Sequence, residues 1–160
     1  MPKSNSNETE TQRGIKPARN FTKVHNVMFT LYTRLPDFKA DHAMLYMYLV
    51  MRHNEKYGYA FPSTDDIAHT LNCGINQVAA YKRVLKKYGL ITTKRHPTQG
   101  NDMYFVHAPI DNVDEFYAKY PEARAYYERR SAQFSARGAK PETEASVKAR
   151  DELAGLKAWL

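Results

Sequence analysis

The chain has 160 residues, with 24 lysines and arginines against 17 aspartates and glutamates, giving a formal charge of +7. That length allows one domain with its own core plus an appendage, and the charge suits a partner carrying phosphate or an acidic membrane surface. No apolar run approaches the roughly 20 residues of a membrane span, no signal-peptide pattern opens the chain, and a single cysteine excludes an internal disulfide.

Residues 1–20 are polar and basic with almost no apolar content, the composition of a disordered arm. Arg13, Lys16 and Arg19 suit an arm along DNA phosphate or in a minor groove, although an ordinary frayed terminus has the same composition. The next stretch, F-T-K-V-H-N-V-M-F-T-L-Y-T-R-L, places Val24, Val27, Met28, Leu31 and Leu35 on one helical face. It predicts a short helix from about His25 to Leu35, ended by Pro36. Asp37 or Asp41 then opens a longer helix. Ala43, Met44, Tyr46, Met47, Leu49, Val50 and Met51 surround it almost completely, which predicts a core helix buried on most sides with methionines as filling. A turn at Gly58 leads to a short strand, Tyr59 to Phe61, expected to pair with the strands beyond Gly89.

Ser63 to Ile91 is the stretch with the clearest pattern. Ser63 can cap a helix, with Asp66 completing a capping box and Asp65 favourable near the positive helix end. Ile67, Ala68 and Leu71 form its apolar face. Asn72-Cys73-Gly74 breaks the periodicity, and Gly74 either caps a second helix or takes the positive φ of a sharp turn. Val78, Tyr81, Leu85 and Tyr88 recur at helical spacing as a buried stripe, and Gly89 ends it. This is a helix-turn-helix pattern.

Opposite the stripe stand Asn76, Gln77, Ala80, Arg83 and Lys87, flanked by Lys82 and Lys86. Amides pair with adenine edges, small residues permit close approach, and cations reach guanine or phosphate. Between Ile67 and Asn101 there is no acidic residue, while Lys82, Arg83, Lys86, Lys87, Lys94 and Arg95 are all basic. A solvated helix face ordinarily mixes signs. The competing reading is a plain helical hairpin whose lysines only keep it soluble. Leu90 to Arg95 and Met103 to His107 read as strands joined by H-P-T-Q-G-N-D, in which Pro97, Gly100 and Asn101 are turn residues. The hairpin has Lys94 and Arg95 at its base and Thr98 and Gln99 at a polar, flexible tip. Either it contacts DNA backbone or minor groove, or it only closes the core.

The order of helix, Y-A-F-P-S strand, helix, turn, helix ending Y-G-L-I and hairpin resembles the winged helix-turn-helix family. More narrowly, F-T-K-V-H-N-V-M-F, A-F-P-S-T-D-D-I-A and L-K-K-Y-G-L-I are similar to domains of replication initiators and replisome organisers of Gram-positive plasmids, phages and integrative elements. The likeness spans Phe21 to about His107. The implied fold class is mainly α with a small β-wing (α+β), a winged helix-turn-helix over 21–108 with a C-terminal helical extension. The resemblance implies Ile75, Asn76, Gln77, Ala80 and Tyr81 as groove-readers, although the spacing of Tyr81 also puts it in the core stripe. Two positions depart from the family: Gly74 stands where Ser or Thr is usual, and Lys82 where an aliphatic residue is usual. Either Lys82 snorkels outward to a phosphate, or the helix register is one residue off.

Beyond Ala108-Pro109, residues 109–137 read as two helices or one kinked at Pro121. Val113, Phe116, Tyr117, Tyr120, Tyr127 and Phe134 give an aromatic stripe. It either docks on the winged helix or pairs with a second copy, making residues 111–136 the candidate homodimer surface. Residues 138–160 read as a linker and a C-terminal helix or tail, with Val147, Leu153, Leu156, Trp159 and Leu160 as scattered apolar positions. That segment suits a docking peptide for a replication protein or a second subunit, or an unstructured tail.

Catalytic motifs are missing: no P-loop, dinucleotide turn or nucleophile elbow is present, nor the His-hydrophobe-His motif of nicking initiators. The histidines show no paired metal spacing, Cys73 reads as a small buried residue, and Asp65-Asp66 as helix capping. The sequence therefore points to a non-enzymatic protein without metal or cofactor. It is expected to bind double-stranded DNA in the bacterial cytoplasm, at nucleoid or plasmid, and to serve the replication of a mobile element. A transcriptional regulator with the same winged helix and a protein–protein adaptor are the alternatives.

Overall fold

The computed structural model describes residues 20–138 and 144–157. In chain order the helices are α1 (Val27–Thr30), α2 (Ala40–Arg52), α3 (Thr64–Leu71), α4 (Ile75–Lys87), α5 (Val113–Lys119), α6 (Pro121–Gly138) and α7 (Glu144–Lys157). Strands β1 (Ile91–Arg95) and β2 (Asp102–Val106) lie between α4 and α5. The chain divides into two compact units: one contains Asp41–Pro109, the other Val27–Ala40 with the residues from Ile110 onward.

In the first unit, α2 buries His42, Ala43, Leu45, Tyr46, Tyr48 and Leu49. As expected, α2 is buried on most sides; its open strip carries Met44 and Met51, seven residues apart and 54 % and 56 % exposed, so these two methionines do not fill the core. Leu45 and Tyr48, absent from the residues picked out by sequence, are buried. The Tyr46 hydroxyl donates to the His107 carbonyl at 2.8 Å, fastening the helix to the end of the hairpin.

The capping box at α3 forms as expected, with Asp66 N–H donating to Ser63 Oγ at 3.0 Å and Ser63 N–H to Asp66 Oδ2 at 3.2 Å. The left-handed residue of the following turn is Asn72 (φ 52°), whereas Gly74 is extended (φ −80°) and takes the other role expected of it, the N-cap of α4. Asparagine tolerates that conformation because its short polar side chain can bond locally. Val78, Leu85 and Tyr88 are buried, and Gly89 (φ 67°) turns the chain into β1.

β1 and β2 pair antiparallel from Ile91↔Val106 to Arg95↔Asp102. The expected third strand contributes a single residue pair. Ala60 and Tyr104 exchange N–H···O bonds of 2.9 and 2.7 Å, and Pro62, lacking an N–H, cannot extend the ladder.

The second unit holds the stretch expected to be a helix from His25 to Leu35. Only the single turn α1 and a 3-10 turn, Tyr32–Arg34, form there, separated by Leu31 at φ −120° and ψ −55°. The Thr33 hydroxyl donates to the Phe29 carbonyl at 2.7 Å, a side-chain bond of the kind that competes with helix continuation. Met28, Leu31, Tyr32, Leu35 and Phe38 are buried, as are Phe116, Tyr120 and Ala123. Tyr32 packs edge-on against Phe116 (centroids 5.1 Å), and its hydroxyl accepts the Ile110 N–H at 3.0 Å. Residues 27–40, read from sequence as the start of the winged helix, thus pack with the helices that follow Ile110.

The extension is two helices meeting at Tyr120. Asn112 caps α5 by accepting from Glu115 N–H at 2.9 Å. Pro121 opens α6, where its missing N–H is harmless. The aromatic stripe is split: Phe116 and Tyr120 are buried, while Val113, Tyr127 and Phe134 are exposed. The Arg34 guanidinium lies 4.0 Å from the Tyr127 ring centroid and donates to the Tyr117 hydroxyl. Side chains of α7 described through Gly155 are exposed apart from half-buried Val147. The expectations for residues 1–19, the linker at 139–143, the Leu156 side chain, Trp159 and Leu160 fall outside the described residues. Among the described residues no helix is long and apolar enough to cross a membrane.

Candidate nucleic-acid interface

With Val78 and Leu85 locked in the core, the rotation of α4 is set and its outer face can be read off. Ile75 is 56 % exposed, and Asn76, Gln77, Ala79, Arg83, Lys86 and Lys87 are exposed as well. Ile75, Ala79 and Arg83 follow one another at four-residue steps along one row. Ala79 is absent from the residues picked out by sequence, and Ala80 is half-buried, turned toward the flank. Neighbouring helical residues point about 100° apart, so the small outward position is Ala79.

Gln77 replaces part of the cap that Gly74 lacks: its side-chain Oε1 accepts the Gly74 N–H at 2.7 Å. A glutamine that reads adenine uses its carbonyl and its amide together, and in Gln77 one lone pair of that carbonyl is already engaged by Gly74. Asn76, one position earlier and exposed, carries the full amide.

Tyr81 and Lys82 are placed differently from the sequence reading. Tyr81 is half-buried, its hydroxyl donating to Asp41 Oδ2 at 3.2 Å and its ring edge-on to His42 at 5.2 Å. It faces α2, as its position in the apolar stripe allows, and desolvation together with the Asp41 charge holds its hydroxyl above the ordinary pKa. Lys82 neither snorkels to solvent nor signals a slipped register. Its ammonium is paired with the Asp102 carboxylate and lies 5.3 Å from the Tyr104 ring centroid. Desolvation is the largest single influence and opposes its charge, but the bond to Asp102, the Asp102 charge and Tyr104 together outweigh it, and its pKa rises. The same bond lowers the Asp102 pKa.

Lys82–Asp102 joins the middle of α4 to the first residue of β2, so helix and hairpin are held together by a half-buried ion pair. Arg95 also approaches Asp102, at 3.6 Å, but is 74 % exposed. Of the basic residues in the acid-free window, Lys82 alone is withdrawn from the surface. Arg83, Lys86, Lys87, Lys94 and Arg95 stay exposed.

At the hairpin tip His96 closes the turn. His96 Nδ1 accepts N–H groups of Thr98 and Gln99 at 3.2 and 3.1 Å, while His96 N–H donates to the Asn101 carbonyl at 2.7 Å. Gly100 supplies the positive φ of 70°. The Thr98 and Gln99 side chains are exposed at the end of the hairpin. Among the described residues no group of three His, Cys, Asp or Glu is placed to hold a metal.

Helices α2, α3 and α4 followed by the β1–β2 hairpin make this unit a winged helix-turn-helix domain, with α4 as the second helix of the motif and the hairpin as its wing. Residues 39–91 match the model of a helix-turn-helix domain family. A structure of a Rep–DNA complex is similar over 64 % of this chain and 86 % of that one, with a TM-score of 0.49 and 19 % identity. A structure of an MDR initiator covers 64 % and 88 %, with a TM-score of 0.47 and 20 % identity. MepR, a transcription regulator of the Staphylococcus aureus multidrug efflux pump MepA, covers 84 % and 90 % at a TM-score of 0.35 and 14 % identity. Comparison with curated proteins gives no match.

Proposed function

We propose that this protein binds double-stranded DNA by laying α4 in a major groove, and that it serves replication initiation or replisome organisation of a mobile element. The observation that carries the binding claim is the exposed row Ile75, Asn76, Ala79 and Arg83, flanked by Lys86 and Lys87, within a window containing no acid. A recognition helix meets base edges with its N-terminal residues. Ile75 suits a thymine methyl, Asn76 an adenine edge, and Arg83, two turns on, a guanine. Lys86, Lys87, Lys94 and Arg95 supply phosphate contacts, with Thr98 and Gln99 carried at the end of the wing. The Lys82–Asp102 pair ties α4 to the wing and holds the Lys82 charge back from the duplex.

The replication role rests on the similarity of F-T-K-V-H-N-V-M-F, A-F-P-S-T-D-D-I-A and L-K-K-Y-G-L-I to initiator domains. Self-association is assigned to the exposed Tyr127 and Phe134 of α6, and α7 is the segment offered to a replication protein. Footprinting of the purified protein on its own replicon tests the reading. Protection across an origin-like repeat array supports it. Protection of a promoter beside its own gene makes it a transcriptional regulator, and no duplex binding at low salt makes it an adaptor.

A further inference from the structure

Side chains alternate across a strand, so burial of Ala60 and Tyr104 directs Tyr59, Phe61 and Phe105 to the opposite face of the wing sheet. The solvent side of an antiparallel sheet is ordinarily polar. Here it carries three half-buried rings, extended by His96 and by Tyr57, which is 54 % exposed. The rings are contiguous: Tyr57–Tyr59 centroids are 6.0 Å apart, Tyr59–Phe105 5.7 Å and Tyr59–His96 6.4 Å. Cations border them, Lys56 at 6.0 Å from the Tyr57 ring and Lys94 at 5.8 Å from Phe105. Glu55 is the neighbouring carboxylate.

We propose that this outer face of the wing is a second nucleic-acid site, which stacks unpaired bases of single-stranded DNA on its aromatic rings. Unpaired bases offer π faces that a duplex hides within its own stack, and aromatic rings beside lysines match both parts of a single strand, base and phosphate. An apolar peptide would match the rings but leave the lysines without a role. Lys94 belongs both to this face and to the cation set assigned to the duplex. From the duplex reading the inference takes only the expectation that this hairpin approaches DNA.

The test uses the full chain at low salt, with fluorescence anisotropy of labelled oligo(dT), of an abasic phosphodiester strand of equal length, and of duplex. Oligo(dT) is expected to bind more tightly than the abasic strand. Tyr57→Ala, at an exposed position, is expected to weaken oligo(dT) binding by at least about five-fold, the lower end for one base on one ring. Tyr57→Phe is expected to retain it, and Phe105→Leu, which keeps apolar bulk without a ring, to lose it. None of these variants should change duplex binding, whereas Arg83→Ala should weaken the duplex and spare oligo(dT). Loss of duplex binding alone therefore leaves the single-strand site standing. Equal affinity for oligo(dT) and the abasic strand, or oligo(dT) binding unmoved by both Tyr57→Ala and Phe105→Leu, overturns it.

Discussion

Replacing Asp102 by alanine should have two effects that no ordinary surface carboxylate would combine. The side chains of Lys82 and Asp102 are 15 % and 25 % exposed, between a surface pair worth about 0–1 kcal/mol and a buried pair whose breakage costs about 3–5 kcal/mol. Removing the carboxylate leaves the ammonium partly desolvated, with the Tyr104 ring as its remaining neighbour, so Asp102→Ala should cost about 1–3 kcal/mol. Lys82→Met should cost less, because the stem still packs and the more exposed Asp102 regains water. The double variant should recover part of the loss. The same Asp102→Ala change releases a cation beside the proposed DNA face, so duplex affinity at low salt should rise. Its log–log salt slope should steepen by about 0.9, the value of one phosphate contact. Urea denaturation of the cycle and duplex titrations over a salt series measure both. Additivity of the two substitutions within about 0.5 kcal/mol would refute the coupling, and a salt slope no steeper than that of the parent would refute the release of charge.

The pH dependence has a defined sign. Asp102 is lowered in the fold, so its contribution is full above its ordinary pKa of 3.8 and disappears as pH falls through the lower folded value. Lys82 is raised, so its contribution is full below 10.5 and disappears as pH rises through the higher folded value. The coupling measured by the cycle should therefore be constant across neutral pH and vanish at both extremes.

Arg83→Ala should weaken duplex binding by about 1–3 kcal/mol, concentrated on the cognate sequence, whereas Lys87→Ala should weaken all sequences alike and reduce the salt slope by about 1; competition titrations separate the two. Gly74→Ser should stabilise the fold by a few tenths of a kcal/mol in thermal unfolding. The extended φ of −80° suits any residue, an added Cβ meets only Gln77 Oε1 at 3.6 Å, and the hydroxyl can accept the Gln77 N–H. Phe116→Ala, which empties a fully buried position against Tyr32, should cost about 3–5 kcal/mol in denaturant unfolding.

Features legible in the sequence are those written in local spacing. The Ser63–Asp66 box, the Val78–Leu85–Tyr88 stripe and the hairpin flanking Gly100 each declare themselves within a few residues, and each forms. The phase of Ala79 against Ala80 was hidden because alanine carries no hydropathic signal. The four-residue step from Ile75 to Arg83 could have found it. The fate of Lys82 was hidden because its partner is twenty residues away in β2, although Asp102 is the first acid after the basic window and was visible as such. Apolar spacing in residues 27–38 showed that the segment would be buried but not against what, and its partners lie beyond Ile110. Two roles were open to Gly74, helix cap or positive φ; it is the N-cap of α4, and Asn72 takes the positive φ.

The central claim, that α4 and the wing present their cations to a duplex, is tested most directly by the salt dependence of duplex binding for the intact chain and for Arg83, Lys86, Lys87, Lys94 and Arg95 each changed to alanine. The account expects the affinity to fall log-linearly with salt, with a slope of about 3.6 in magnitude from Lys86, Lys87, Lys94 and Arg95, each of which removes about 0.9 of it when changed, while Arg83→Ala weakens binding chiefly on the cognate sequence. Measurable binding that is indifferent to salt and to all five substitutions would contradict the account, as would no duplex binding at low salt.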